Sequence, residues 1–294
     1  MVAFAHAKAK SASIGTSRGG ILKPFHLRQS LHLSREEIED EIRSRVHTVS
    51  LGDGIVLARV LGRFKMYLRA DDIGFAANVM LDGYWESWLT RFLAALAQPG
   101  MVVVDVGANF GYHSLTLADA CGHSGHLFAV EPNPAALTLL RRTIALNGMA
   151  SFTTILPVAL GSEAEAAVGL FVPEGEPKNA HVVPPSPDCP TVASTSLDAV
   201  FAGGRRIDLI KIDAEGAERA IVAGGAALLA RDRPHLILEY NAARYAEPRA
   251  LIEELTGIYG GLRRIDFDGV AQEAEPASVY GDLSGEDQLL YFAR

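Results

Sequence analysis

The segment MVVVDVGANFGYHSLTLA, residues 101–118, constrains this chain more than any other. Its first six residues are an apolar, β-branched run of the kind that suits a strand buried on both faces. Glycines at 107 and 111 follow at once, and a helical pattern continues from Tyr112 to Ala120. A buried strand that passes through a glycine turn into a helix opens a βα unit, and repeated βα units build a parallel sheet covered by helices on both faces. The alternation continues. Residues 126–130 read as a strand ending in Glu131, and Asn133-Pro134 as the N-cap and first turn of a helix closed by Gly148. Residues 152–160, 166–172, 207–213 and 236–240 read as further strands, with helices over 216–230 and 248–258. Residues 262–267 and 288–292 read as two closing strands with a loop and no helical pattern between them. The expected fold is α/β and Rossmann-like, a doubly wound, mostly parallel sheet ending in an antiparallel strand.

Upstream, Trp85, Trp88, Leu89, Phe92, Leu93 and Leu96 fall on one helical stripe over residues 84–96, stopped by Pro99-Gly100. Six of the fourteen prolines lie within residues 173–190, which predicts a loop. Three divisions are expected: a basic leader over 1–45, a cap or helical region over 46–97 and the sheet domain over 98–294. The first 35 residues carry six basic and no acidic side chains, so the remaining chain is at -14. Such an acidic body disfavours a nucleic acid as partner. No apolar run reaches the ~18 residues of a membrane span. Cys121 and Cys189 form no metal-ligand or disulfide pattern, and a reducing, cytoplasmic compartment is expected. Arginines outnumber lysines 21 to 6, a composition associated with a bacterial, GC-rich source.

In a sheet of this type ligands bind beyond the carboxyl ends of the strands, so the residues there carry the chemistry. Asp105 and the turn Gly107-Ala108-Asn109-Phe110-Gly111 follow the first strand of the alternation. A dinucleotide fingerprint needs a glycine where Asn109 stands, which points to a ligand without a pyrophosphate. Glu131 sits where an acid accepts hydrogen bonds from ribose hydroxyls. Strand alternation places Lys211 and Asp213 on one face, and a lysine in an apolar central strand is costly without a partner. Glu215, Glu239 and Asn241 stand on neighbouring strand ends. His113, just after the glycine turn, reads as a packing residue.

The stretches VVDVGANFGYHSLTLA (103–118), AVEPNP (129–134), TSLDAV (195–200), IDLIKIDAEGAERAIVAGG (207–225) and PHLILEY (234–240), in this order, resemble the FkbM family of S-adenosylmethionine-dependent methyltransferases. The resemblance implies a class I methyltransferase fold with a seven-stranded sheet. It implies S-adenosyl-L-methionine as cofactor, with Asp105, Gly107, Ala108, Asn109 and Gly111 holding its methionine part. Glu131, with Asn133 beside it, would take the ribose, Ala159-Leu160 the adenine surroundings, and Asp213 the boundary between cofactor and acceptor. It further implies O-methylation of a sugar, glycolipid or secondary-metabolite hydroxyl.

For that chemistry Asp213 is expected to accept the hydroxyl proton or orient the hydroxyl, with Lys211 setting its charge state and Glu215 and Glu239 shaping the acceptor site. No metal is expected; a divalent ion on Asp213, Glu239 and Asn241 is the alternative weighed. The rival functions are a nicotinamide-dependent oxidoreductase, against which stands the absence of a Tyr-x-x-x-Lys pair, and a non-catalytic nucleoside-binding protein. Acceptor selectivity is expected in residues 46–97, 173–190 and 269–286.

Overall fold

A computed structural model describes residues 23–164, 167–187 and 189–293. Ser34 caps the helix α1 (Arg35–Arg43) in a capping box, its side chain accepting from Glu37 N while the Glu37 carboxylate accepts from Ser34 N. Ile38 and Ile42 on the inner face of α1 are buried, as are Phe25 and Leu27 before it. The expected leader to residue 45 is therefore corrected over its described part: residues 25–43 are anchored in the core, while residues 1–22 lie outside the described residues. A three-stranded antiparallel meander follows, β1 (Thr48–Gly52), β2 (Ile55–Val60) and β3 (Phe64–Arg69), which the helical reading of residues 46–97 missed. Helices α2 (Phe75–Asp82) and α3 (Ser87–Leu96) complete this region, and α3 carries the expected apolar stripe.

The alternation then runs as β4 (Val102–Val106), α4 (Tyr112–Cys121), β5 (His126–Val130), α5 (Pro134–Leu146) and β6 (Thr153–Leu156). The strand expected over 152–160 is broken by Pro157, which has no N–H to donate, and resumes as β7 (Ala159–Leu160) in a separate ladder with β11 (Ser194–Thr195). Between them, β8 (Val168–Phe171), β9 (His181–Val183) and β10 (Thr191–Val192) form a small antiparallel sheet, so the proline-rich stretch expected as loop also holds strand. Next come α6 (Leu197–Val200), β12 (Leu209–Ile212), α7 (Glu218–Ala223) and α8 (Ala226–Asp232). The single helix expected over 216–230 breaks at its glycine pair, where Gly224 passes so close to the Gly161 carbonyl that a Cβ there would lie 2.0 Å from the oxygen. The chain closes with β13 (His235–Tyr240), α9 (Pro248–Tyr259), β14 (Arg263–Ile265), β15 (Ala271–Glu273), α10 (Pro276–Tyr280) and β16 (Gln288–Phe292).

The main sheet has the order β15-β14-β16-β13-β12-β4-β5-β6, with β16 antiparallel to both its neighbours. This is the class I methyltransferase arrangement, in which the seven expected strands are joined by an eighth, the edge strand β15, paired with β14 where a plain loop was expected. Alternation divides the central strands between two cores: Val103, Leu209 and Ile237 face α3, α4 and α5, while Val104, Ile210 and Leu238 face α7, α8 and α9. No helix among the described residues is long and apolar enough to cross a membrane. Because Ile42 packs at 1 % exposure, Ile42→Ala should cost about 2–5 kcal/mol in a urea unfolding titration, whereas a detachable leader would show no change.

Candidate active site

The strand order reverses between β4 and β12, since the chain leaves β4 toward β5 and leaves β12 toward β13. Loops diverge there, and a cavity opens over the carboxyl ends of the central strands. Phe75, Trp85 and Glu86 close it from the N-terminal region, and residues 177–182 close it from the proline-rich stretch. Two of the three segments expected to govern selectivity thus meet over the cavity; residues 269–286 do not line it. The two covering segments are joined by a hydrogen bond from Ile73 N to Gly175 O at 3.0 Å. Lys178 lies over the Trp85 ring at 5.2 Å.

The floor of the site is built by strand register. Lys211 on β12 stands directly beside Asp105 on β4 and Ile237 on β13, so all three point to the same face. Lys211 is 2 % exposed, and its Nζ lies 3.5 Å from Asp105 Oδ1 and 3.1 Å from Asp213 Oδ2. Burial alone would drive the ammonium to lose its proton, but the two carboxylates outweigh it and hold the lysine charged. Asp213 sits two residues further along, past the strand end, with 30 % of its side chain exposed. Burial pushes its carboxyl upward, yet Lys211 and a hydrogen bond from Glu239 hold it below its ordinary range. Asp105 is fully buried, bonded by Ser114 Oγ at 2.6 Å, and does not line the cavity. Its place is beneath the glycine turn, where it supports Lys211.

The glycine turn is fixed by what it must approach. Gly107 adopts φ +76°, and a Cβ there would lie 1.8 Å from the Asp213 carbonyl oxygen, so no other residue lets the ends of β4 and β12 come together. Gly107, Ala108 and Asn109 line the cavity; Gly111 does not, and instead packs against Leu140 at the start of α4. Glu131 lines it too, with Oε2 accepting from Asn109 N and Oε1 from Asn133 N, both at 2.8 Å. Burial raises its carboxyl from 4.5 to about 7 against those two N–H donors. Asn133 itself serves as the N-cap of α5, and Ala159 and Leu160 line the far end beside Val158 and Pro132.

At the opposite end Glu239 is raised from 4.5 to about 10, first by burial and then by Asp213 and the other nearby carboxylates, so it holds its proton at neutral pH. Glu215 is raised to about 7, by burial and by Asp213, while Arg244 opposes the shift. Arg244 lies 3.2 Å from Glu215, 3.3 Å from Glu239 and 3.1 Å from Asp287, tying the loop after β12 and the loop before β16 to the end of β13. Glu218, the last acid of the K-x-D-x-E-G-x-E stretch, is buried and accepts from Ala214 N and Gly216 N, which holds Glu215 at φ +52°. Carboxylate oxygens of Asp213, Glu215 and Glu239 gather within 4.8 Å of one another. Asn241 does not join them, because its side chain is bonded to Gly285 O, Asp287 and Ala243 N. His113 differs from its reading as a packing residue in lining the cavity, where Nε2 lies 3.3 Å from Glu86 Oε2. Glu86, Lys178 and Arg244 were not singled out by sequence, and Trp85 was read only as part of the helical stripe. Only their distance along the chain hid them, since no motif spacing links residues 85, 178 and 244.

The fold defines a class I methyltransferase architecture with a cavity at the strand reversal. The model of the methyltransferase FkbM domain matches residues 105–266, more than half of the sequence, and the chain belongs to that family. It is similar to the protein-L-isoaspartate O-methyltransferase of Hyperthermus butylicus, 27 % identical over 117 residues, covering 37 % of this chain and 44 % of that one. Similarity to the same-named protein of Methanothrix thermoacetophila is 40 % over 45 residues, covering 15 % and 21 %. The chain therefore spans less than half the length of these curated relatives. Among solved structures, the FkbM methyltransferase of Methylobacillus flagellatus KT is 16 % identical with a TM-score of 0.40, covering 73 % of this chain and 52 % of that one.

Two outcomes follow from the geometry. Gly107→Ala should destabilise the fold by about 3 kcal/mol in denaturant titration, because the new Cβ meets backbone that cannot yield. Glu239 binds its proton more tightly folded than unfolded, so its contribution to stability is present at low pH and is lost as pH rises from 4.5 toward 10. Glu239→Gln should accordingly flatten the fall in Tm between pH 5 and pH 9 and raise Tm at the alkaline end, read by calorimetric melting.

Proposed function

We propose that this chain transfers a methyl group from S-adenosyl-L-methionine to a hydroxyl oxygen of a small-molecule or glycan acceptor, of the sugar, glycolipid or secondary-metabolite type. The observation that carries the reading is the arrangement of two acids at the two ends of one cavity. Glu131 lies between the glycine turn and Ala159-Leu160, and Asp213 lies, charged and fixed by Lys211, at the other end. The residues present fit the cofactor. Glu131 still has lone pairs to offer ribose hydroxyls, Val158, Leu160 and Pro132 give an apolar wall for a base, and Gly107-Ala108 brings backbone close to a methionine tail. When bound, the cofactor supplies a methyl group on a cationic sulfur.

The chain's own residues do the rest. Asp213 accepts the hydrogen bond of the acceptor hydroxyl and so turns its oxygen toward the donor; Lys211 keeps Asp213 ionised for that task. Glu239, which holds its proton, and Glu215, tied to Arg244, shape the acceptor end. Trp85 and Phe75 cover the cavity and reduce access of water, and fixing both reactants under that cover is the main catalytic contribution. A hydroxyl suits this end better than a carboxylate acceptor, because an anion would meet Asp213 and Glu86 at close range. A nicotinamide dinucleotide suits the turn poorly: the Asn109 N–H that would face a pyrophosphate is already donated to Glu131.

The test is methyl transfer from labelled S-adenosyl-L-methionine to a panel of 4-nitrophenyl glycosides and polyols. Product label should survive alkali, as an ether does and a methyl ester does not. Asp213→Asn should lower kcat by about 100-fold while S-adenosylhomocysteine binding stays within about threefold. Alkali-labile label, or near-normal turnover by the variant, would contradict the reading.

A further inference from the structure

We propose that Glu215 carries the proton of the acceptor hydroxyl away from Asp213 and out to solvent; this rests on the methyl-transfer reading above and supplies the proton route which that reading leaves open. Methyl transfer to a hydroxyl releases one proton in each turnover. Asp213 receives it first, but Lys211 at 3.1 Å holds that carboxylate ionised, which makes it a good hydrogen-bond acceptor and a poor resting place for a proton. Asp213 lines the cavity, so the 30 % of its side chain that is exposed lies beneath cofactor and acceptor once they are bound. The proton then needs a second carrier.

Glu215 meets the geometric requirement. It lines the same cavity, and its carboxylate comes within 4.8 Å of those of Asp213 and Glu239, a span that one water bridges. Its side chain is 20 % exposed, and its one ion pair among the described residues is Arg244, 3.2 Å from Oε2, which leaves Oε1 for the proton. Arg244 in turn reaches Asp287 at 3.1 Å, whose side chain is 41 % exposed, so this side of Glu215 borders the surface. The backbone fixes the placement. Glu215 stands at φ +52°, a left-handed conformation unusual for a residue with a side chain, and Glu218 secures it by accepting from Ala214 N at 3.0 Å and Gly216 N at 3.1 Å. The Tyr245 hydroxyl donates to Glu218 from the other side.

The charges around Glu215 suit it to the task. Asp213 after β12, Glu239 on β13 and Asp287 before β16 face it as acids, and Arg244 and Lys178 as cations. Burial first, and then Asp213, raise its carboxyl from 4.5 to about 7, with Arg244 and Lys178 opposing. A carboxylate in that range takes up a proton and returns it to water at neutral pH. Glu239 cannot serve, because it already holds its proton. In the step, a lone pair of the acceptor oxygen forms the new C–O bond as the C–S bond breaks and leaves its electron pair on sulfur. The hydroxyl proton passes to Asp213, then through one water to Glu215 Oε1, and from Glu215 to bulk water, which restores both carboxylates for the next turnover.

The experiment has two arms. Carboxyl-carbon NMR of the full chain saturated with S-adenosylhomocysteine, assigned with Glu215→Gln, needs no acceptor. Glu215 should titrate with a midpoint of about 7; a midpoint below about 5, near that of an ordinary glutamate, would overturn the proposal. In the second arm kcat for methyl transfer to 4-nitrophenyl glycosides is followed from about pH 5.5 to 9 with S-adenosyl-L-methionine saturating, so that cofactor affinity and Glu131 do not enter. For the unsubstituted chain kcat should rise through about pH 7 and level off above it, because only ionised Glu215 can take the proton. Glu215→Gln should lose that rise and lower the plateau about 100-fold, with KM for S-adenosyl-L-methionine within about threefold, and Glu215→Ala should regain part of its rate with added formate. Arg244→Gln removes a cation that opposes the upward shift and should move the rise about one unit higher in pH. A rise unaltered by Glu215→Gln, or a plateau within about twofold of the unsubstituted chain, would overturn the inference and leave the methyl-transfer reading standing. Failure of the unsubstituted chain to bind S-adenosylhomocysteine would instead overturn that reading and this inference with it.

Discussion

A lysine in the middle of a sheet has no route to water, and Lys211 determines what can surround it. It stands on the central strand β12 at 2 % exposure, and only the carboxylates of Asp105 and Asp213 make its charge tolerable. Removing one partner from a buried pair of this kind costs roughly 3–5 kcal/mol, since the remaining charge is left uncompensated. The consequence reaches in two directions. Downward, Asp105 must lie in register with Lys211 and be bonded by Ser114 on α4, which fixes how the helix after the glycine turn sits on the sheet. Upward, Asp213 must stay at the strand end, ionised and partly exposed, where it faces the cavity.

Function follows from the same constraint. With Asp213 fixed, the Gly107 turn can pass within contact distance of its carbonyl, and the turn in turn delivers the Asn109 N–H to Glu131. One chain of contacts therefore joins the acid at one end of the cavity to the acid at the other. The N-terminal region and the proline-rich stretch are placed over this framework and meet each other through Ile73 and Gly175. Glu86 and Trp85 enter the site because of that arrangement.

Much of this was legible in the sequence because it depends on local pattern. The run at 101–106, the glycines and the helix after them could be read from side-chain periodicity, and the Lys211–Asp213 meeting followed from strand alternation. Other features escaped for physical reasons. In β2 apolar residues occupy both faces, with Ile55 and Leu57 half-buried beside buried Val56, Ala58 and Val60, which blurs the period of two that β3 shows plainly. Pro157 and the Gly224-Gly225 pair interrupt elements that periodicity alone carries through. Motif position does not reveal depth, and only the structure shows Asp105 fully buried beneath the turn and paired with Lys211. Glu86 faces the cavity by virtue of one left-handed backbone conformation, which leaves no trace in hydropathy.

Calorimetric titration with S-adenosylhomocysteine, run beside NADH and repeated from pH 6 to pH 8, tests the central claim most directly. Ribose hydroxyls donate to the ionised form of Glu131, whose carboxyl is raised to about 7, so affinity should be micromolar at pH 8 and weaken as pH falls through 7. Glu131→Gln should lose both the affinity and its pH dependence, with NADH binding weakly throughout. Absence of S-adenosylhomocysteine binding, or binding indifferent to Glu131 and to pH, would contradict the account.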